Sequence, residues 1–432
     1  MATTLEAIVS LCKRRGFVYP SAEIYGGLNG VYDIGHLGAL MKENIRKAWK
    51  KSVKLQGHQT LFMEGALLGH EGVWTASGHV SNFHDPMVDC LHCKKRYRAD
   101  DIDLNKPCAH CGNKGWTEVR QFNLMFKTEL GAAQGSSSVA YLRPETAQAI
   151  FPNFKNVYST NRVKIPFGIA QVGKAFRNEI TPKQFLFRMR EFEQMEIEWF
   201  CHPDESMHFF DIWCQKRKAF YQAIGMNMDK IRFRAHEKDE LSHYSKQTSD
   251  IEYEFPFGWK ELEGIAHRGN FDLTQHSKHS SKDLSVHDEA TNTSFVPHVV
   301  ECSVGVDRLF LTILFDAYQV DMVDGEERTV LKLHPQIAPI KAAFLPLTKQ
   351  LTEPALKAFQ NTLNLEIETI FDDSGSIGKR YRRYDEIGVP ACFTFDFESP
   401  NDQCVTVRNR DTLAQERIGI DKVSSYVNDL LK

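Results

Sequence analysis

The spacing of hydrophobic and polar residues changes several times along this chain, and the changes mark out its elements. Residues 4–15 read as a short helix that stops near Gly16, followed by a glycine-studded loop region, YPSAEIYGGLNGVYDIGHLG. Leu37, Leu40, Met41, Ile45, Trp49 and Val53 then recur at helical spacing, with Lys and Arg on the other side, which predicts an amphipathic helix. A period of two takes over in IAQVGKAF and in residues 176–200, FRNEITPKQFLFRMREFEQMEIEWF. These read as two strand-like segments joined by a short proline-containing loop, Ile180–Gln184. Side chains alternate across a strand. Arg177 and Glu179 therefore share a face of the first segment, and Arg188, Arg190, Phe192, Gln194 and Glu196 share a face of the second. The opposite face of the second carries Phe187, Met189, Met195, Ile197 and Trp199, a core pattern interrupted only by Glu191 and Glu193.

Further along, Ile251, Tyr253, Phe255 and Phe257 alternate with polar residues and predict a strand; TQHSKHSSKDLSVHDEA reads as surface loop. In residues 296–318 an apolar strand reaches Glu301, a glycine-containing turn follows, and Arg308 opens an apolar helix over Leu309–Leu314. Beyond ERTVLKLHPQIAP, three short strand-like runs (Lys341–Leu347, Ile367–Phe371 and Ala391–Phe395) alternate with helical segments near 353–364, 375–387 and 421–431. That pattern predicts a small α/β domain with parallel strands.

The 432 residues suggest two or three domains. With 42% hydrophobic and 25% charged residues, disorder is excluded. A net charge of −3 means that any nucleic-acid contact must come from local basic patches. The N-terminal residues carry no signal-peptide pattern, and no run approaches the ~20 apolar residues of a membrane helix. Ten cysteines without a secretion signal point to a reducing compartment, with the cytoplasm as the default.

Cys90 and Cys93, then Cys108 and Cys111, form two CxxC knuckles separated by fourteen residues. Four thiolates so spaced can converge tetrahedrally on zinc in a closed structural site; the plainer alternative is four reduced cysteines. His92 and His110 read as bystanders. The arginines, acids and ring around 176–200 suit a nucleotide, since guanidinium forks grip phosphate, a ring stacks on a base and a carboxylate accepts from an exocyclic amine. The alternative is a salt-bridged outer sheet face. In YLRPETAQAIF, Pro144 sits near a helix start, with Glu145 in the first turn and Ala147 to Ile150 continuing it. An acid there is ordinarily just favourable to the helix dipole. Lys379 to Tyr384 is basic with interleaved aromatics, either an RNA-facing patch or a solvated helix face.

RPETAQAIF, FRNE with REFEQMEIEWF, FGWKELEGIAHR and ECSVGVDR together resemble the dimeric glycyl-tRNA synthetases, a class II family, over essentially the whole chain. The resemblance implies an α/β (α+β) fold: an antiparallel sheet flanked by helices in a catalytic domain over 1–335, with a zinc-knuckle insertion at 88–116 and an α/β anticodon-binding domain over 336–432. It implies ATP-dependent attachment of glycine to tRNA(Gly) through glycyl-adenylate, with Mg²⁺, structural Zn²⁺ and a homodimer built on the helix after Gly35. Arg177 and Arg308 would be the catalytic arginines: Arg177 on the α-phosphate, Arg308 at the γ-phosphate end. Glu179 would meet the adenine amine and Phe192 the base; Asn178, Phe187, Arg188, Met189, Arg190, Glu191, Glu261, Leu262, Gly305, Val306 and Asp307 would complete the ATP segments. Glu145, Glu196, Glu301 and Ser303 would surround glycine, with Phe192, Glu193, Gln194, Met195, Cys302, Val304 and Gly305 beside them and Arg98 as a further substrate contact. Where the family usually reads Tyr-Gly-Pro-Leu-Gly, this chain has Ile34 to Gly38 with His36 in place of proline. At His267 to Asn270, where relatives often have Arg-Thr-Asp, the resemblance assigns no role. The competing readings are a synthetase for another small amino acid and a catalytically dead paralogue that binds RNA.

Overall fold

The computed structural model describes residues 3–131, 138–237, 245–288, 292–323, 325–362 and 367–432. Most of the polar loop expected over 131–140 falls outside them.

Seven strands make the central sheet: β1 (Thr60–Phe62), β2 (Phe167–Phe176), β3 (Glu191–Cys201), β4 (Ile231–Ala235), β5 (Gln247–Phe255), β6 (Gly258–Gly269) and β7 (His298–Gly305). Their order is β4–β5–β6–β7–β3–β2–β1, antiparallel throughout except for the β1–β2 pair. The principal helices around it are α1 (Leu5–Arg15), α2 (His36–Ser52), α3 (Ser206–Ala223), α4 (Phe271–Ser280) and α5 (Val306–Ala317).

Local chemistry sets several boundaries. The Thr4 hydroxyl caps α1 by accepting from the Ala7 amide at 3.2 Å, and Gly16 ends it at φ 74°, a left-handed position that glycine adopts without strain. Helix α2 begins at His36, so the missing proline does not prevent helix initiation. Gly35, just before it, has no room for a Cβ, which would lie 2.3 Å from the Gly16 carbonyl oxygen.

One sheet face is closed by the apolar stripes of α2, α3 and α5. Met195, Ile197 and Trp199 of β3 and Cys302 and Val304 of β7 join Met41, Ile45, Trp49, Trp213, Phe220, Leu309 and Phe310 in a single buried core. Each large side chain so buried contributes roughly 1.5–3 kcal/mol. The other face is polar and lined by acids over part of its length, and at one end carries a second apolar cluster in which Phe167, Ile169, Phe200 and Val299 pack on Ile150, Phe151, Phe154 and Leu273.

The structure departs from the sequence pattern in four places. The paired strands run only from Phe167↔Phe200 to Phe176↔Glu191, so the connection covers 177–190 rather than 180–184. Gln184 and Phe185 both have positive φ (62° and 56°) and Phe185–Phe187 form a 3-10 turn. Arg188 and Arg190 therefore lie in the loop, off the strand face that carries Phe192. Secondly, Glu145 precedes its helix, which starts at Ala147. Thirdly, β7 runs without a turn into α5, so Arg308 is its third residue. Fourthly, part of the segment read as surface loop is helix α4, because Leu273 and His276 have a buried face to fill.

The C-terminal unit has a five-stranded sheet of β8 (Ala342–Pro346), β9 (Thr369–Phe371), β10 (Ala391–Phe395), β11 (Cys404–Asn409) and β12 (Gln415–Gly419) in the order β9–β8–β10–β11–β12. Helices α6 (Thr352–Thr362), α7 (Ile377–Glu386) and α8 (Val423–Leu430) accompany it. The three expected strands are parallel, but β11 and β12 add an antiparallel edge. The basic run on α7 is largely internal: Arg380 and Tyr384 are buried, Arg383 pairs with Asp372 at 2.6 Å, and Lys379 alone in the run is exposed.

Candidate active site

On the polar face, the 177–190 loop, β3, β6 and the start of α5 enclose a cleft of about 260 Å³. Arg177, Glu179, Phe187, Arg188, Met189, Phe192, Glu261, Leu262, Gly305, Asp307 and Arg308 line it, joined by Leu186, Gln194 and Ser303. Arg177 is held between the rings of Phe83 and Phe192, 5.3 and 5.4 Å from their centres, and donates to the Pro144 carbonyl at 3.1 Å. Arg308 lies 4.6 Å over Phe187 and pairs with Glu261 at 3.3 Å. A guanidinium against a ring keeps its outward donors free for an anion.

Four residues expected with these sit elsewhere. Asn178 donates its amide to the Leu124 carbonyl at 2.7 Å. Arg190 is spent on the carbonyls of Glu179 and Asn29 (2.9 Å each), Glu191 pairs with Lys174 at 2.9 Å, and Val306 is in the core behind the sheet.

Adjoining the cleft through Gln194 and Ser303 is a cluster of acids. Glu196 lies beside Ser303 across β3 and β7, and Glu198 beside Glu301. Glu196 accepts from the Thr146 hydroxyl, and Gln194 accepts from the Thr146 amide at 3.2 Å. Burial, then the charges of Glu301 and Glu145, push the Glu196 carboxyl up to about 8. Burial also acts to raise Glu145, but the His79 imidazole at 3.3 Å, with Arg268 and Arg177, brings it down to about 2. His79 in turn is held by the Ser77 hydroxyl at 2.8 Å. Burial raises Glu301, opposed by the Arg268 guanidinium at 2.5 Å.

Sequence reasoning missed Arg268, Asp272, His79 and Glu198. Arg268 is the bulged residue at the end of β6, between His267 and Gly269, and grips Asp272 through two bonds (2.7 and 2.9 Å) as well as Glu301. The His267–Asn270 turn, given no role above, thus supplies the buried cation of the acid cluster. The signal was present in AHRGNFD, an arginine four residues before an aspartate. Conversely, Glu193, Met195, Cys302 and Val304 do not join the pocket, because strand alternation turns them to the helical side. There Glu193 pairs with Lys42 and Arg46 at 3.1 and 2.7 Å, and the other three are core. Arg98 pairs with Asp85 and Asp100 at 3.0 and 2.7 Å, and its charge acts on Glu179 of the cleft.

The four cysteines converge as their spacing predicts. Cys90 and Cys111 sulfurs are 3.7 Å apart, Cys93 and Cys108 3.8 Å, and all four lie within 4.8 Å of one another. Tetrahedral zinc with Zn–S bonds of ~2.3 Å needs sulfurs about 3.8 Å apart. Both knuckles are closed by backbone bonds, Lys94 N–H to Cys90 O (3.0 Å) and Gly112 N–H to Cys108 O (2.8 Å), with positive φ at Lys94 and Gly112. The donor set and its spacing fit zinc; His92 and His110 stand outside it.

Comparison with known proteins defines first the class. A family described as "tRNA synthetase class II core domain (G, H, P, S and T)" matches residues 126–318, and one described as "Anticodon binding domain" matches 338–430. A prolyl-tRNA synthetase from Cryptosporidium parvum, solved with L-proline and AMP, shares the fold with a TM-score of 0.66 at 13% identity, over 99% of this chain and 78% of that one. Glycine–tRNA ligases are similar along their whole length. That of Caldanaerobacter subterraneus subsp. tengcongensis is 50% identical over 456 residues (99% of each chain), and that of Alkaliphilus oremlandii 48% over 462 residues (100% of each). The chain belongs to the glycine–tRNA ligase family: it joins glycine to tRNA, using ATP and Mg²⁺, by way of an aminoacyl-adenylate.

Proposed function

We propose that the arginine-lined cleft holds ATP and the adjoining acids hold glycine, so that the substrate carboxylate meets the α-phosphorus between them. The carrying observation is that Gln194 and Ser303 both line the cleft, Gln194 donates to the Ser303 hydroxyl at 3.4 Å, and Ser303 in turn bonds Glu196 of the acid cluster. Arg177 and Arg308 grip the phosphates, Glu179 and Phe192 face the adenine, and Arg188 closes the loop side. Glu261, the most exposed acid of the cleft, would hold Mg²⁺, which would neutralise developing phosphate charge. The ammonium lies among Glu145, Glu196 and Glu301, with Ser303 beside it. Glycine has no side chain to recognise, so selectivity comes from gripping the ammonium in a pocket too tight for a Cβ; a clash in a rigid pocket discriminates more than lost methyl contacts, worth ~1–3 kcal/mol. The glycine carboxylate attacks the α-phosphorus in line and pyrophosphate leaves. The terminal adenosine hydroxyl of tRNA(Gly) then takes the glycyl group, releasing AMP. The protein positions and stabilises charge, with no covalent enzyme intermediate.

In the same reading, Cys90, Cys93, Cys108 and Cys111 hold a structural zinc, and Arg98 belongs to the insertion it orders. Residues 1–335 act as catalytic domain and 336–432 as anticodon-binding domain. The working form is a homodimer, supported by exposed Ile24, Tyr25 and Leu28 in the segment preceding α2. The cytoplasm is its compartment, supported by ten cysteines without a disulfide. Arg177→Ala tests the site: glycine-dependent ATP–pyrophosphate exchange should fall by ~100-fold or more with the fold retained. Near-normal exchange would refute the cleft assignment.

A further inference from the structure

Glu198 stands out because it is fully buried, lies next to the amino-acid pocket, and has no place in the chemistry above. Its two carboxyl oxygens meet no protein donor, although most buried charges in this chain are paired. Strand register explains its position. Glu198 is one alternation beyond Glu196 on β3, directly between Ile169 of β2 and Glu301 of β7. Directly opposed side chains on neighbouring strands touch, and Glu196, Glu198 and Glu301 bring carboxyl oxygens within 4.8 Å of one another.

We infer that Glu198 is a positioning residue for the amino-acid pocket: as a carboxylic acid its hydroxyl donates to Glu301, which Arg268 holds from the other side, so that Glu301 is aimed at the substrate ammonium.

The charge inventory supports this. Glu145, Glu196, Glu198, Glu301 and Asp272 face one another from the 143–146 segment, β3, β7 and α4; Arg268 is the cation bonded among them, with Arg177 acting on Glu145, Arg143 on Glu196, and His79, when protonated, paired with Glu145. Asp272 occupies two of the Arg268 donors and Glu301 a third. Like charges at this separation in a dry site cannot all ionise, so some acids keep a proton. Glu198 is the deepest and the one without a donor, so the proton is best kept there, where it also satisfies one side of Glu301. Burial, then the Glu301 charge, raises the Glu198 carboxyl well above its ordinary range, in agreement with the geometry. A neutral neighbour is what a positioning role requires. It leaves the negative charge at the pocket wall with Glu145 and Glu301, and it fixes the Glu301 rotamer by a bond that Asp or Ala at 198 would not reach.

The proposal rests on Glu301 holding glycine, and the test separates the two. Three full-length variants are compared by glycine-dependent exchange: Glu198→Met, which removes the donor at similar volume, Glu198→Gln, which keeps a neutral donor, and Glu301→Gln. Glu198→Met should raise KM for glycine on the order of tenfold with KM for ATP unchanged, and Glu198→Gln should recover most of that loss. Equal damage in Met and Gln would show that a charged carboxylate is needed, and no change in either would show a filler; both overturn the proposal. If Glu301→Gln leaves KM for glycine unmoved, it is the pocket assignment that fails. Should the Met variant not fold, infrared spectra of the wild type and Glu198→Gln decide. The wild type should keep a buried carboxylic-acid band well above the ordinary carboxyl range, and Glu198→Gln should lose the part of it that Glu198 contributes. Absence of that band in the wild type overturns the proposal.

Discussion

At Glu196 the fold holds an acid against its own preference, and that has consequences of opposite sign for binding and stability. In the empty pocket its carboxyl keeps a proton up to about 8, whereas an arriving ammonium favours the ionised form. Glycine KM should therefore fall as pH rises toward 8, by at most about tenfold per unit, and level off above it; Glu196→Gln should flatten this profile. Exchange kinetics across pH measure both. For stability, a carboxyl raised above its usual 4.5 contributes fully below that value and loses its contribution as pH rises through about 8. Glu196→Gln should consequently raise Tm, by more near pH 8 than near 4.5, in calorimetry of the two proteins. The pocket is thus a place where function costs stability.

Elements in this molecule are joined by buried charges as well as by apolar stripes. Lys42 of α2 bonds Asp307 of α5 at 2.6 Å and Glu193 of β3 at 3.1 Å, and Asp307 also accepts from the Glu193 amide at 2.8 Å. Burial opposes the Lys42 charge, but Asp307 and Glu193 together raise its ammonium above the usual range. Helix α2 is thereby tied to the residue immediately before Arg308, and the cleft inherits the rigidity of the core. Lys42→Met should leave the buried Asp307 carboxylate without a cation and Glu193 with Arg46 alone, and lower unfolding free energy by roughly 3–5 kcal/mol, read from urea denaturation. Arg46, which reaches Glu193 but is more exposed, should matter less.

At the scale of the whole chain, two assemblies remain to be measured, the metal and the second subunit. Purified protein should carry close to one zinc per chain, and strong chelators should remove it with increased proteolysis between Cys90 and Cys111 while the central sheet persists. Far less than one zinc would reject the site. Ile24 and Tyr25, 88% and 86% exposed, are large apolar side chains on one turn. Ile24→Asp with Tyr25→Asp should shift sedimentation equilibrium from dimer toward monomer; an unchanged mass would place the contact elsewhere.

How much was legible follows from how local each signal was. Helix α2, the CxxC knuckles and the β3 and β7 segments were readable because hydrophobic period and ligand spacing are written in consecutive residues. Glu145, Glu196 and Glu301 came from motif resemblance, and neither their convergence nor its charge is visible along the chain. His79 was missed because its partner Glu145 is tens of residues away; Arg268 has Asp272 four residues on, but its contact with Glu301, which gives it a place in the cluster, is likewise tens of residues away. The loop at 177–190 was read too short because two positive-φ residues broke an alternation that composition alone continued. Sequence therefore determined the elements, the family and the four-cysteine cluster, all short-range or motif-borne properties. Tertiary structure alone decided which acids share a pocket, which face the helices, and which are pushed above the ordinary carboxyl range, since burial and proximity exist only once the strands are paired.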